Sequence, residues 1–503
     1  MSLQFIFGNS GSGKSHYLYQ QIVEESIRHP EKNYLVLVPE QFTMQTQKDL
    51  CMAHPRGGIM NIDVLSFGRL AHRVFEETGK ERQPILDDEG KNLVLRKIAG
   101  NYEDELTVLK GNLKKQGYIS EVKSVISEFT QYGIDFEQLD SFMEGLNPES
   151  YLYYKLKDIR KVYEGFEDYL RDKYITKEEL LDVLSQTVPE AKMLKDSVIA
   201  MDGFTGFTPV QNRLIGELLK VCDKIMLTVE IDRREDPFVY KHPYQLFALS
   251  KQMVTSLTEV AQEVRVEIDE PVWLCKNPSY RFKENPEMAF LEEELFRYSR
   301  RKYSGEKMRS ISLHEVHTPQ EEAQYVAEEI RRLVREEGYR YREIAVIASD
   351  LSTYADALEK ACDRYEIPVF MDHKKSILLN SFVEYLRSLL VMVEQNYTYE
   401  SVFRYLRTSL CEFTRDEVDR LENYCLALDL KGFKKWDQVW VRKTPMTTKE
   451  ELEELNHLRM RFVEKLTPLH TVLKKRKKTV KEITLAVYEY LVQEKIEEPV
   501  SYT

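Results

Sequence analysis

Eight residues near the amino terminus, Gly8-Asn9-Ser10-Gly11-Ser12-Gly13-Lys14-Ser15, fit G-x-x-x-x-G-K-[ST] at every fixed position. An apolar run, Leu3–Phe7, precedes them, and a helical pattern follows from about Ser15. A strand, a small-residue loop and a helix in that order open an α/β unit built on a parallel sheet. The small residues let backbone N–H groups wrap a phosphate, and the helix amino terminus adds positive potential. Lys14 is placed to reach the β- and γ-phosphates of ATP. The Ser15 hydroxyl is placed to ligate Mg²⁺. Lys14 is expected to be exposed in the loop, so its loss should leave the fold intact. The motif alone does not fix the class of nucleotide-binding protein.

The chain continues the alternation. Tyr34–Val38 and Asp63–Phe67 read as strands, and the sheet resumes at Ser197–Met201 and Lys224–Val229. Between about 87 and 190 the strand signals vanish. Leu152, Leu156, Ile159, Tyr163, Phe166 and Leu170 step by three and four, the stripe of an amphipathic helix. This region is read as an all-helical insertion in a first domain covering 1–290. A second α/β unit, 291–503, opens with Ile311 and Leu313 in a strand. Thr318-Pro319-Gln320-Glu321 is a capping box, followed by strands at Ile344–Ile347 and Val369–Phe370 and a helix between them. From about Ser376 the chain reads as helical. The fold class is therefore α/β: RecA-like, parallel-sheet, phosphate-loop domains with large helical insertions.

Composition narrows the partners. With 84 acidic and 72 basic residues among 503, the net charge of −12 argues against a wholly basic nucleic-acid binder. Local basic runs remain: Arg297, Arg300, Arg301, Lys302, Lys307 and Arg309, and Lys474, Lys475, Arg476, Lys477, Lys478 and Lys481. Either could face a polyanion or be solvated surface. Cys51, Cys222, Cys275, Cys362, Cys411 and Cys425 show no C-x-x-C or zinc-ligand spacing and read as reduced thiols. No window approaches the ~18 apolar residues of a membrane span, and the expected location is cytoplasmic.

A magnesium-bound nucleotide needs an acid on a neighbouring strand. Asp202 ends the apolar run Ser197–Met201, where ligands of parallel sheets bind. The segment Asp202-Gly203-Phe204-Thr205-Gly206-Phe207-Thr208-Pro209-Val210-Gln211 resembles the D-E-F-Q-D-T-D-P-x-Q of RecB/UvrD-like, superfamily-1 helicases. Gly203 stands where those helicases carry a water-positioning glutamate, and Thr205 where they carry glutamine. Glu230-Ile231-Asp232-Arg233 lies where an active helicase shows a G-D-x-x-Q-x-I-Y sensor.

Val36-Leu37-Val38-Pro39-Glu40-Gln41-Phe42-Thr43, Ile62–Phe67, Ile344–Ile347 with Tyr354, Leu358, Ile367-Pro368 and Phe370, and Val402–Thr408 extend the likeness across nearly the whole chain. Together these segments look most like the AddB family, whose members are subunits of the bacterial AddAB helicase–nucleases. The resemblance implies ATP and Mg²⁺ as cofactors, with Ser15 and Asp202 at the metal. It implies Gln41, Thr43, Ser66 and Phe67 as DNA contacts; Phe67 could stack a base or be a buried core phenylalanine. It also implies an AddA-type partner in a heterodimer, and resection of double-strand DNA ends for recombinational repair.

The family's nuclease constellation, its four-cysteine iron–sulfur cluster and helicase motifs V and VI have no counterpart in these 503 residues. The chain is accordingly expected to be an amino-terminal portion, with cluster and nuclease beyond residue 503. Three activities follow. One is an ATP- and DNA-binding scaffold with weak or absent hydrolysis, favoured by Gly203. Another is an active single-stranded DNA translocase using a carboxylate such as Glu40 as base. The remotest is a small-molecule kinase on the same loop.

Overall fold

A computed structural model describes residues 1–79, 84–113, 115–171, 173–305, 308–372, 376–408, 410–444 and 447–495. Two compact units divide at Leu313/His314, so the helix at 286–294 and the connector after it belong to the first unit, beyond the expected boundary at 290.

The first unit begins β1 (Ser2–Gly8), α1 (Lys14–Arg28), β2 (Tyr34–Leu37), α2 (Thr43–Ala53), β3 (Ile62–Leu65) and α3 (Phe67–Thr78). A helical insertion follows: α4 (Asp88–Asn101), α5 (Gln116–Tyr132), α6 (Phe136–Glu144), α7 (Tyr151–Leu170) and α8 (Leu180–Thr187). Two short strands, β4 (Ile85–Leu86) and β5 (Ile175–Thr176), pair in parallel at its base; two-residue strands carry no readable alternation. The unit closes with β6 (Val198–Met201), α9 (Pro209–Leu219), β7 (Lys224–Glu230), α10 (Ala248–Glu263), β8 (Glu267–Ile268), β9 (Val272–Trp273) and α11 (Pro286–Glu294).

The main sheet runs β3-β2-β6-β7-β1-β8, with β9 also on β1, and every pairing is parallel. All carboxyl ends therefore share one edge. β1, β2 and β6 are almost wholly buried, as expected for strands covered on both faces. Phe5, Phe7, Leu35, Ile199 and Leu227 pack on one side; Ile6, Val36, Ala200 and Met226 pack on the other. Thr208 and Gln211 form a capping box at the start of α9, with the Thr208 N–H donating to Gln211 Oε1 at 2.9 Å. The T-P-x-Q segment is thus a helix start.

The insertion has its own core, with Leu95, Ile98, Ile119, Ile126, Ile159, Val162 and Phe166 buried. Glu167 on α7 is half-buried, and burial, with the Glu179 charge nearby, pushes its carboxyl up to about 7. The folded state holds this proton more tightly than the unfolded chain. Its stabilisation is present below about pH 4.5 and is lost as pH rises towards 7. Glu167→Gln should therefore match the parent at pH 4.5 and exceed it at pH 8, by about 1–2 kcal/mol after allowance for solvent screening. Urea melts at the two pH values check this.

The second unit starts with α12 (Pro319–Glu336) and α13 (Leu351–Arg364), which pack through Ala323, Ala327, Ile330, Leu358, Ala361 and Cys362. Thr318 Oγ1 accepts from the Glu321 N–H, but the Glu321 carboxylate takes the His317 N–H, so the expected capping box is half-formed. The strands expected at Ile311–Leu313, Ile344–Ile347 and Val369–Phe370 are not paired, and no strand follows Trp273 among the described residues. A parallel ladder is stable when both faces are covered. Here α12 and α13 cover one face only, and Ile347 and Phe370 are 95% and 90% exposed on the other.

Among the described residues six further helices follow: α14 (Ser381–Glu394), α15 (Tyr399–Leu406), α16 (Arg415–Leu428), α17 (Phe433–Asp437), α18 (Lys449–Lys474) and α19 (Val480–Gln493). They enclose an aromatic core around Trp436, Trp440, Tyr397 and Phe462. Tyr405 links Tyr385 and Tyr490 through buried hydroxyl contacts of 3.1 and 2.5 Å.

Candidate nucleotide site

β1 delivers the glycine-rich loop to the carboxyl edge of the sheet. The Ile231 N–H donates to Gly8 O at 3.0 Å, fixing where the loop departs. Lys14 is the first residue of α1 and is half-buried rather than exposed, because its stem lies against the loop. Its ammonium donates to Asn9 O at 3.0 Å. Burial holds this lysine below its usual range, against the opposing attraction of Glu230 and Asp202.

A short turn that the motif does not announce, Ser279–Phe282, lies on the loop. The Arg281 N–H donates to Gly11 O at 3.0 Å. Gly11 has φ of 71°, and a Cβ there would stand 2.6 Å from Arg281 Cβ, so only glycine permits the contact. Ser12 and Ser279 are 7% and 1% exposed, and their hydroxyls have no hydrogen-bond partner among the described residues. Buried donors left unpaired cost about 1–3 kcal/mol each, and phosphate oxygens are suitable acceptors. Arg281 is exposed and brings a second cation near Lys14. Beyond the loop, Asn9 Nδ2 donates to both Glu292 carboxylate oxygens at 3.1 Å and to Lys276 O at 3.2 Å.

Asp202 follows β6 and is 7% exposed. Its Oδ2 accepts from the Tyr19 hydroxyl at 2.7 Å and its Oδ1 from Thr228 at 2.5 Å. Tyr19 is also 3.3 Å from Thr46 Oγ1, which ties α1 and α2 to this carboxylate. Burial and the Asp202 charge raise the Tyr19 hydroxyl well above its ordinary range, so it stays a donor. No hydrogen bond joins Ser15 to Asp202 among the described residues; Ser15 is exposed at the first turn of α1. A hydroxyl and an aspartate on one edge, each with lone pairs to spare, fit the hard oxygen ligands Mg²⁺ takes.

Gly203 has φ of 76° beside Phe42 and Pro39. A glutamate there would sit in left-handed backbone, at a cost of about 1–2 kcal/mol. Gly203→Glu should lower the melting temperature and leave ATP turnover unchanged, because the backbone does not aim the new carboxylate. Thermal melts and phosphate release check both. Glu40 is exposed in the turn after β2, and the strongest attractions on Lys14 come from Glu230 and Asp202 instead.

The DNA-contact candidates also gather at the carboxyl edge, after β2 and β3. Gln41 is exposed. Thr43 is buried at the start of α2, its hydroxyl donating to Glu40 O at 3.0 Å. Ser66 caps α3 by accepting from the Arg69 N–H at 3.4 Å. Phe67 is 8% exposed and packs on Phe204 and Phe207, 5.5 and 6.2 Å between ring centroids. That placement does not fit base stacking by Phe67: the ring is core. Phe42, 47% exposed beside Gly203, is the open aromatic here.

Two members of the first basic run are paired. Arg297 pairs with Asp232 at 2.9 Å and Arg301 with Glu294 at 2.7 Å; Lys307 lies outside the described residues. The second run is exposed between α18 and α19, with Lys478 donating to Leu473 O. All six cysteines are free, and no helix among the described residues is long and apolar enough to cross a membrane.

Comparison with known proteins decides the family. A family model described as ADDB, N-terminal, matches residues 5–292. The chain belongs to the AddB family. A second model, the UvrD-like helicase C-terminal domain, matches residues 281–499, so its match begins at Arg281. An ATP-dependent helicase/deoxyribonuclease subunit from Lachnoclostridium phytofermentans is 40% identical over 99% of this chain and 44% of its own length. A protein of the same name from Clostridium perfringens is 34% identical over 98% of this chain and 43% of its own. The chain thus spans less than half the length of these relatives. The mixed α/β fold with a parallel sheet and many helices agrees with the UvrD-like match.

Proposed function

We propose that this chain is the ATP- and DNA-binding portion of an AddB-type protein. Such a protein acts with an AddA-type partner on double-strand DNA ends in the cytoplasm, in recombinational repair. One observation carries the reading: a complete phosphate loop faces a buried aspartate across a sheet edge whose next residue, Gly203, has no carboxylate. Lys14, Arg281 and the Ser12 and Ser279 hydroxyls bind the phosphates. Ser15 and Asp202 would hold Mg²⁺, which would supply neutralising positive charge. Tyr19 and Thr228 orient Asp202. Without a carboxylate at 203, hydrolysis is slow, and the site serves as a nucleotide-bound scaffold beside the strand path at Gln41 and Phe42. The same edge would serve an active translocase only if another carboxylate acts as base.

Lys475, Arg476 and Lys477 are solvent-facing cations that can track phosphates. Single-stranded DNA binding should therefore weaken with salt, by about 0.7 in log–log slope for each neutralised phosphate. Replacing these three with alanine should reduce the slope by about 2. An unchanged slope would remove them from the DNA path.

A further inference from the structure

We propose that α11 is a strap clasped to the phosphate loop through Glu292 and Asn9, and that bound nucleotide opens the clasp and loosens the segment at Arg309 and Ser310. The inference rests on the nucleotide-binding reading above. In a site that turns over slowly, bound ATP acts through what it holds or releases.

Asn9 belongs to the loop itself. Its carbonyl accepts from the Lys14 ammonium at 3.0 Å and from the Ser12 N–H at 3.2 Å, so the lysine that reaches the terminal phosphates rests on this residue. Its side-chain Nδ2 donates to both Glu292 carboxylate oxygens at 3.1 Å, near the carboxyl end of α11. At the other end of α11, Glu287 is 8% exposed and accepts from the Arg309 N–H at 2.8 Å and the Ser310 N–H at 2.7 Å. Asn285 caps α11 by accepting from the Met288 N–H, and its Nδ2 donates to Ser310 Oγ at 3.0 Å. One nine-residue helix thus grips the phosphate loop at one end and, at the other, the segment that leads out of the first unit.

The clasp is poised to open. Asn9 Oδ1 is buried with no hydrogen-bond partner among the described residues, so the contact satisfies the amide only in part. Burial and the Asp232 and Glu230 charges push the Glu292 carboxyl up, against the Asn9 hydrogen bond and the Arg234 charge. Mg²⁺–ATP brings net negative charge to the same loop and adds to that repulsion, which weighs more in a partly buried site than in water. Arg234 Nη2 still donates to Glu293 O at 2.8 Å, and Arg297 still pairs with Asp232. The helix therefore shifts on the first unit without leaving it.

The test is hydrogen–deuterium exchange of the 503-residue chain with and without saturating Mg²⁺–ATP, with ATP affinity measured in parallel. In the parent, ATP is expected to speed exchange at α11 and at the Arg309 and Ser310 amides by about fivefold or more, the low end of coupling between sites. Glu292→Ala should show the faster exchange without nucleotide and gain little more from ATP. It should also bind ATP more tightly by about the same factor, because the coupling is reciprocal. Glu292→Gln keeps an oxygen for Asn9 and loses the charge. It should exchange as slowly as the parent without ATP and respond to ATP less, and it carries the test if the alanine variant does not fold. Three results overturn the proposal: ATP that leaves those amides unchanged or slows them; slow exchange in a folded Glu292→Ala; or a Glu292→Gln response equal to the parent's. Failure of the parent to bind ATP would instead remove the nucleotide-binding reading itself.

Discussion

Replacing Lys14 with alanine is expected to weaken ATP binding by about 30- to 100-fold, the loss of one charge-assisted contact of roughly 2–3 kcal/mol. The melting temperature should stay close to that of the parent. Among the described residues the ammonium has one protein acceptor, Asn9 O, and the methylene stem ends at the loop surface rather than in the core. Removing it also relieves the cost of burying a charge, which holds Lys14 below the ordinary lysine range. Fold and binding therefore separate in this variant. Isothermal titration with ATP and a thermal melt on the same preparation check both halves. A chain that unfolds would make the loop a structural element; one that binds ATP as before would place the phosphates elsewhere.

The largest expected effect on stability lies in the second unit. Trp436→Ala should destabilise it by about 3–5 kcal/mol, the range for emptying a large buried aromatic site. Trp436 is 1% exposed, with ring centroids 4.7 Å from Phe462 and 5.3 Å from Trp440. Its carbonyl accepts from the buried Arg459 guanidinium at 2.7 Å, which bridges α17 and α18. A cavity here lets water reach a cation now satisfied by backbone. The ATP site draws its residues from 8 to 292, so ATP binding should survive. Limited proteolysis should cut within His314–Thr503 and spare the remainder.

The sequence carried the chemistry of the first unit further than its geometry. The loop, Asp202 and the buried strands were legible because motif and apolar run sit within a few residues of each other. Ser279 and Arg281 were not, since some 270 residues separate them from Gly11 and only the turn of β9 into α11 brings them back. Nor was Tyr19, whose hydroxyl meets Asp202 because α1 lies across the end of β6. Of the two readings open for Phe67, the core one is legible in its neighbours. With Leu70, Ala71, Val74 and Phe75 it makes the i, i+3, i+4, i+7, i+8 stripe of a helix that faces the core. The strands of the second unit were read from β-branched runs, but pairing depends on neighbours and a covered second face, which composition does not reveal.

The phosphate site of the first unit is expected to hold ATP and turn it over slowly. Steady-state phosphate release from ATP, with Mg²⁺ and with or without saturating single-stranded DNA, tests it most directly. ATP should bind, and DNA should stimulate release by less than about tenfold, short of the ~10²–10⁴ that general acid–base catalysis contributes. Stimulation well beyond that, abolished by Lys14→Ala, would contradict it.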